Sequence, residues 1–395
     1  MSRTTHKRIV FLAALFALLI YSIDAYHYIP FWSFWGFDLH NLVAFHNCEF
    51  RNNPYAAGTS FCGDAGGRAM FYPPLLYWSF FWTRGLELKT ANWIWSVANV
   101  VGMLACYSIW CKIAKTKIFA PVNALFWLLL LPQYPFFFTI ERGNSDVPSV
   151  LLWSIGAYLL TIENFFLAGF IFSTALLYKL YPVIPLAIIG LGFLVSVARG
   201  SAKDRKNLLT FVSGIVMPVM FQLLVSFEQT KIYFLTVLPT FASKSSDLGV
   251  YSHSIKPLDE YIPGAAAVIK AMLFLGWCFL SVRIFKKDLP LLLAGTIAIS
   301  TFLGNTAYEY NLITCYPFLL LLIFRANSLK DYLWTFLGVA LMVGHRAVWP
   351  TIDGLAPFPL PYLKILLEVS WLILSVPLIL QGICSTVPPD AESVK

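Results

Sequence analysis

Charge is what this chain has least of: Asp, Glu, Lys and Arg make up 12% of its 395 residues, against 58% hydrophobic. A water-soluble domain is nearer ~45–50% apolar, so this scarcity excludes an ordinary soluble globule and points to lipid as the solvent. Period-two alternation is missing from the apolar runs, which excludes a spanning β-barrel. No small-residue cleavage site follows the first apolar run, although Arg3, His6, Lys7 and Arg8 precede it. Asp24, Tyr26, His27 and Tyr28 come instead, so the run reads as an uncleaved first span. The seven cysteines show no metal-ligand spacing, and Cys106, Cys278 and Cys315 lie inside hydrophobic runs. Cys48 and Cys62 share one loop and leave a disulfide open if that side is oxidising. No internal repeat of helix pairs is evident, which counts against an inverted-repeat transporter plan.

What is present is a succession of apolar runs, among them 9–23, 92–110, 165–177, 208–227 and 362–383. The longer of them are about long enough to cross a hydrocarbon core of ~30 Å as helix, and the shorter ones do so with their flanking residues. The expected fold is an all-α polytopic membrane bundle of about 12 helices. Its spans fall near 9–25, 92–111, 118–138, 147–162, 164–180, 182–198, 208–227, 264–284, 289–305, 311–324, 332–349 and 362–384. The whole chain, 1–395, reads as a single transmembrane domain, with a first external loop at 26–91, a second at 228–263 and a cytoplasmic tail at 385–395. The first loop is expected to carry short amphipathic or re-entrant helices lying along the membrane.

The net charge of +8 is explained by topology rather than by nucleic acid. Placing the N-terminus in the cytoplasm puts Lys112, Lys115 and Lys117 inside, then Arg199, Lys203, Arg205 and Lys206, then Arg283, Lys286 and Lys287, then Arg325 and Lys330. This order holds provided that 72–82 does not cross. Acidic residues show the reverse bias, with Asp38, Glu141, Asp146 and Glu309 all on the outside. Prolines such as Pro73, Pro74, Pro132, Pro135, Pro182 and Pro185 gather on that same face, where broken helix ends line a cavity.

The first external loop reads Gly36-Phe37-Asp38-Leu39-His40-Asn41, then Asn53-Pro54-Tyr55, then Tyr72-Pro73-Pro74-Leu75. Next come Glu141-Arg142-Gly143-Asn144-Ser145-Asp146, Tyr178-Lys179-Leu180-Tyr181-Pro182, Ser252-His253-Ser254 and Tyr308-Glu309-Tyr310-Asn311. An acidic residue beyond the first span followed by these turns resembles the GT-C superfamily of glycosyltransferases, closest to glycosyltransferase family 87. The resemblance runs from about residue 9 to residue 325. It implies a sugar donor carried on polyprenyl phosphate, a glycan or glycolipid acceptor, membrane lipid as surroundings, and inversion at the anomeric carbon. It also implies that the acidic residue of the first external loop is the catalytic carboxylate. A multi-pass location in a bacterial plasma membrane is expected ahead of the endoplasmic reticulum.

Chemistry gives the same residues work to do. Displacing a lipid phosphate from an anomeric carbon needs a base for the acceptor hydroxyl and positive charge for the departing phosphate. Asp38 is the candidate base, with Asp24 as its rival. Arg142 and Lys179 are the candidate phosphate ligands, for which Glu141 and Asp146 are competing partners. Glu141, Asn144, Asp146, Tyr55, Tyr72, His253, Tyr308 and Glu309 are the candidate substrate contacts, the aromatic rings offering flat faces for sugars. A divalent metal (Mg or Mn) held by Glu309 with Asp38 or Glu141 is left open. His253 and His40 lack a second histidine at ligand spacing. No Gly-rich phosphate loop is present to hold a nucleotide sugar. The alternative from another class is a transporter or flippase of a lipid-linked saccharide, whose mark would be ionisable groups at mid-span.

Overall fold

The computed structural model of the protein describes residues 38–40, 42–43, 55, 72–120, 130, 134–240, 255, 259, 262–304, 309–326, 328–342, 369–371, 373 and 375, and among them every regular element is helical. In chain order these are α1 (Pro74–Ser79), α2 (Leu88–Ile113), α3 (Tyr134–Arg142), α4 (Asp146–Thr161), α5 (Phe165–Tyr178), α6 (Val183–Ala198), α7 (Ala202–Ile232), α8 (Ala265–Ile284), α9 (Leu289–Leu303), α10 (Tyr316–Arg325) and α11 (Leu329–Met342). Among the described residues three helices, Leu88–Ile113, Ala202–Thr240 and Ala265–Ile284, are long and apolar enough to cross a membrane. Asp146–Thr161, Phe165–Tyr178, Val183–Ala198, Leu289–Leu303 and Asn311–Arg325 are shorter apolar helices of 10–17 residues. The expected spans 9–25 and most of 118–138 and 362–384 lie outside the described residues, as do Cys48, Cys62 and the tail 385–395.

Burial sorts the helices into a centre and a rim. On α9 every residue from Leu291 to Phe302 is buried, and on α10 so is every residue from Tyr316 to Ile323. A helix apolar on all sides belongs inside such a bundle. By contrast α8 presents Val268, Met272, Leu275 and Phe279, spaced by one turn and 59–64% exposed. On α7 Met220, Phe221, Leu224 and Phe227 form a similar stripe. Large apolar side chains bared in register are stable against lipid tails, and the chain is a membrane protein.

Small residues set the closest helix contact. A Cβ on Gly169 of α5 would collide with the backbone oxygen of Phe211, and one on Gly214 of α7 with that of Phe166. Two backbones in touch gain dispersion contacts that no larger residue permits. Ser173 Oγ adds a hydrogen bond across the seam to Ile215 O at 2.8 Å.

Helix ends segregate into two polar clusters. At one end Glu163 pairs with Lys203 at 3.0 Å, Asp204 with Lys286 at 2.5 Å and Asp288 with Arg325 at 2.6 Å. These are the ends that the charge pattern puts in the cytoplasm. The opposite ends of α3, α4 and α5 meet in the site described next. Residues 72–82 do not cross: they form α1, only six residues long, and the 3-10 turn Phe81–Thr83.

Candidate functional site

The site is built on the way α3 stops. Ile, Glu and Arg continue the helix past the expected end near 138, to Arg142, because none of them breaks it. Gly143 then adopts a left-handed φ of +68°. Its N–H donates to Ile140 O at 3.1 Å and that of Asn144 to Thr139 O at 2.9 Å, the paired bonds of a Schellman closure. A Cβ on Gly143 would lie 2.6 Å from Leu39 Cβ, so glycine also makes room for the first loop. That loop is anchored by Leu39, Leu42 and Val43, buried in one apolar cluster with Leu76, Tyr77, Phe80, Trp95 and Tyr178. Trp95 Nε1 donates to the carbonyls of both Gly143 (3.1 Å) and Asn144 (3.2 Å), tying α2 to the turn. Asp146 opens α4, where a helix N-terminus favours a carboxylate. Lys179 is the extended residue directly after α5.

These four chain segments bring their polar tips together. Arg142 forks onto Asp38, Nε to Oδ2 at 2.9 Å and Nη2 to Oδ1 at 2.7 Å. Asn144 Nδ2 donates to Asp38 Oδ2 at 2.9 Å, while its Oδ1 accepts from Lys179 Nζ at 2.7 Å. Lys179 Nζ also donates to Asp146 Oδ1 at 2.8 Å. Asn311 Nδ2 closes the chain on both Asp146 oxygens at 3.2 Å. Asp38, Asn144, Asp146 and Lys179 are all buried. Among the described residues two carboxylates face two cations, so their charges cancel. Charges this deep are tolerated only when paired and hydrogen-bonded.

Tyrosines form the flank. Lys179 Nζ sits 5.5 Å over the Tyr72 ring, a cation–π contact. Burial, with the Asp38 and Asp146 charges nearby, holds the Tyr72 phenol well above its usual range, so it stays protonated as a donor. Tyr55 stands one step back: its hydroxyl donates to Tyr72 O at 2.6 Å, and its ring lies 5.9 Å from that of Tyr77 and 5.8 Å from that of Tyr233.

Of the residues singled out from the sequence, Asp38, Arg142, Asn144, Asp146, Lys179 and Tyr72 thus converge. His253, Tyr308 and Asp24 lie outside the described residues, as do the side chains of Glu141 and Glu309. Two participants were not among the candidate contacts. Asn311, in the 3-10 turn Glu309–Cys315, is the last residue of a quoted motif but reads as a lone amide ahead of an apolar run. Trp95 reads as one more interfacial aromatic. Among the described residues no three His, Cys, Asp or Glu side chains gather as metal ligands. Asp38 and Asp146 are each engaged by N–H donors, while Glu309 and Glu141, the other ligands of the metal left open by the sequence, have side chains outside the described residues.

The sequence model of glycosyltransferase family 87 matches residues 71–307, which covers more than half of the 395 residues. No curated protein matches the chain, and no solved structure does. The matched stretch contains Tyr72, Arg142, Asn144, Asp146 and Lys179, with Asp38 ahead of it and Asn311 behind. Membership of a transferase family sets aside the transporter alternative. The chain belongs to glycosyltransferase family 87 and is a membrane-embedded glycosyltransferase.

Proposed function

We propose that the cluster moves one sugar, mannose or another hexose or pentose, from a polyprenyl-phosphate donor to a glycan or lipid-linked acceptor on the non-cytoplasmic face of a bacterial plasma membrane. The observation that carries this reading is the setting of Asp38: a buried carboxylate held in one orientation, one amide away from a buried ammonium, at the bundle end opposite the lysine- and arginine-rich ion pairs.

The acceptor hydroxyl attacks the anomeric carbon and gives its proton to Asp38. The bond from that carbon to the phosphate oxygen breaks, and the electron pair leaves with the lipid phosphate. One direct displacement inverts the centre. Arg142 and Lys179 receive the phosphate. A phosphodiester arriving here competes with Asp38 for Arg142 and with Asp146 for Lys179. Each N–H group drawn to phosphate leaves a carboxylate oxygen for the acceptor hydroxyl. Charge also balances: the donor brings one negative charge to two ion pairs that cancel, and the proton taken by Asp38 offsets the second one that appears on the released phosphate. Confining this change to a preorganised polar site keeps the reorganisation on transfer small. Tyr72 and Tyr55 offer faces to the sugar, Glu141, His253, Tyr308 and Glu309 complete the proposed substrate contacts, and the buried Asp146 holds Lys179 in place.

The test is sugar transfer in reconstituted liposomes, offering polyprenyl-phosphate mannose, glucose and arabinose in turn, with nucleotide sugars in parallel. Transfer from a lipid-linked donor and none from nucleotide sugars is expected. Transfer from nucleotide sugars alone would overturn the donor class. Movement of lipid-linked sugar between leaflets without transfer would overturn the reading altogether.

A further inference from the structure

We infer that Asn144 is a positioning residue that couples the catalytic base to the phosphate-binding cation, not a substrate contact as its sequence position first implies. The inference rests on the roles proposed above for Asp38 and Lys179.

Every polar group of Asn144 is engaged inside the protein. Its backbone N–H is bound to Thr139 O, its carbonyl accepts from Trp95, its Nδ2 donates to Asp38 and its Oδ1 accepts from Lys179. The residue is 1% exposed, so it has no surface to offer a sugar. The amide is also the one side chain of this size that serves both neighbours. A carboxylate wants a donor and an ammonium wants an acceptor, 2.9 Å and 2.7 Å away on opposite atoms. Turning the amide over would set oxygen against oxygen and N–H against ammonium. Chemistry therefore fixes the orientation of the amide, and the fixed amide holds the Asp38 Oδ2 lone pairs and the Lys179 ammonium at a constant separation. A base and a phosphate-binding cation that must act on the two ends of one breaking and forming pair of bonds need such a constant separation.

Asn144→Asp separates this role from a structural one. The substitution preserves shape and the acceptor for Lys179, but puts an oxygen where Asp38 needs a donor. The expected result, in the full-length protein in liposomes, is a fall in kcat of about 10²-fold, with the donor KM within about threefold of wild type. Thermal unfolding in detergent reports the folded fraction. Asn144→Ser, shorter and uncharged, is the second variant, with kcat down about tenfold and KM again held. Wild-type kcat in either folded variant overturns the inference. So does a loss confined to donor KM, which marks a substrate ligand, or failure of both variants to fold, which marks a structural residue. A wild-type protein that transfers nothing from polyprenyl-phosphate donors overturns the reading under Proposed function and this inference with it, whereas an active wild type with an unimpaired Asn144→Asp overturns this inference alone.

Discussion

Three N–H groups converge on the two oxygens of Asp38, two of them from the planar fork of Arg142. A lysine at that position keeps the charge but reaches with a point rather than a fork. Arg142→Lys is therefore expected to lower kcat/KM by at least about tenfold, the worth of one charge-assisted hydrogen bond, in steady-state transfer assays. Lys179→Met leaves Asp146, fully buried, without its cation. The expected loss is ~3–5 kcal/mol of stability, read as a lowered unfolding temperature in detergent; an unchanged temperature contradicts the pairing. The members of this cluster were legible in the sequence because charge is so scarce there. Arg142, Asp146 and Lys179 each stand at the edge of an apolar run, where lipid cannot solvate them and a partner must. Their pairing was not legible. Whether Arg142 answers to Glu141 or Asp38 depends on a loop 104 residues upstream, and no local pattern encodes that.

Between elements, the tightest dependence is the contact of α5 with α7. Gly169→Val or Gly214→Val drives a side chain into a backbone oxygen that cannot yield. Overpacking of this kind costs ~1–3 kcal/mol or more, and loss of folded protein on size-exclusion chromatography is expected. Gly190→Ala on α6, with nothing within 4 Å of the added carbon, is the matched control and should behave as wild type. Helix existence and order followed from the apolar runs, since α4, α5, α6 and α8 fall where hydropathy places them. Helix ends did not follow so well. The α3 helix continues to Arg142 because only Gly143 stops it, and the expected span at 311–324 opens as the 3-10 turn Glu309–Cys315 before α10 begins at Tyr316, with Pro317 in its first turn. That turn is what carries Asn311 to Asp146. A hydropathy average over some 18–20 residues cannot resolve such a change of helix type.

Across the whole molecule, the two polar clusters at opposite ends divide the work. The Asp288–Arg325 fork, with bonds of 2.6 and 2.8 Å, joins α9 to α10 at the end opposite the Asp38 cluster proposed to carry catalysis. Asp288→Asn is expected to lower the unfolding temperature while leaving the donor KM of the folded protein unchanged. A shifted KM would show that the ends are not independent. This two-ended arrangement was foreshadowed by the distribution of lysine and arginine, because a membrane sorts charge by side before any contact forms. The composition of each cluster required the fold. The central claim is that Asp38 is the base for sugar transfer, and the most direct test is transfer by Asp38→Asn beside wild type in the same liposomes, normalised to folded protein. A fall of ~10²–10⁴-fold, the range for removing a general base, is the predicted result. Turnover at the wild-type rate would contradict the account.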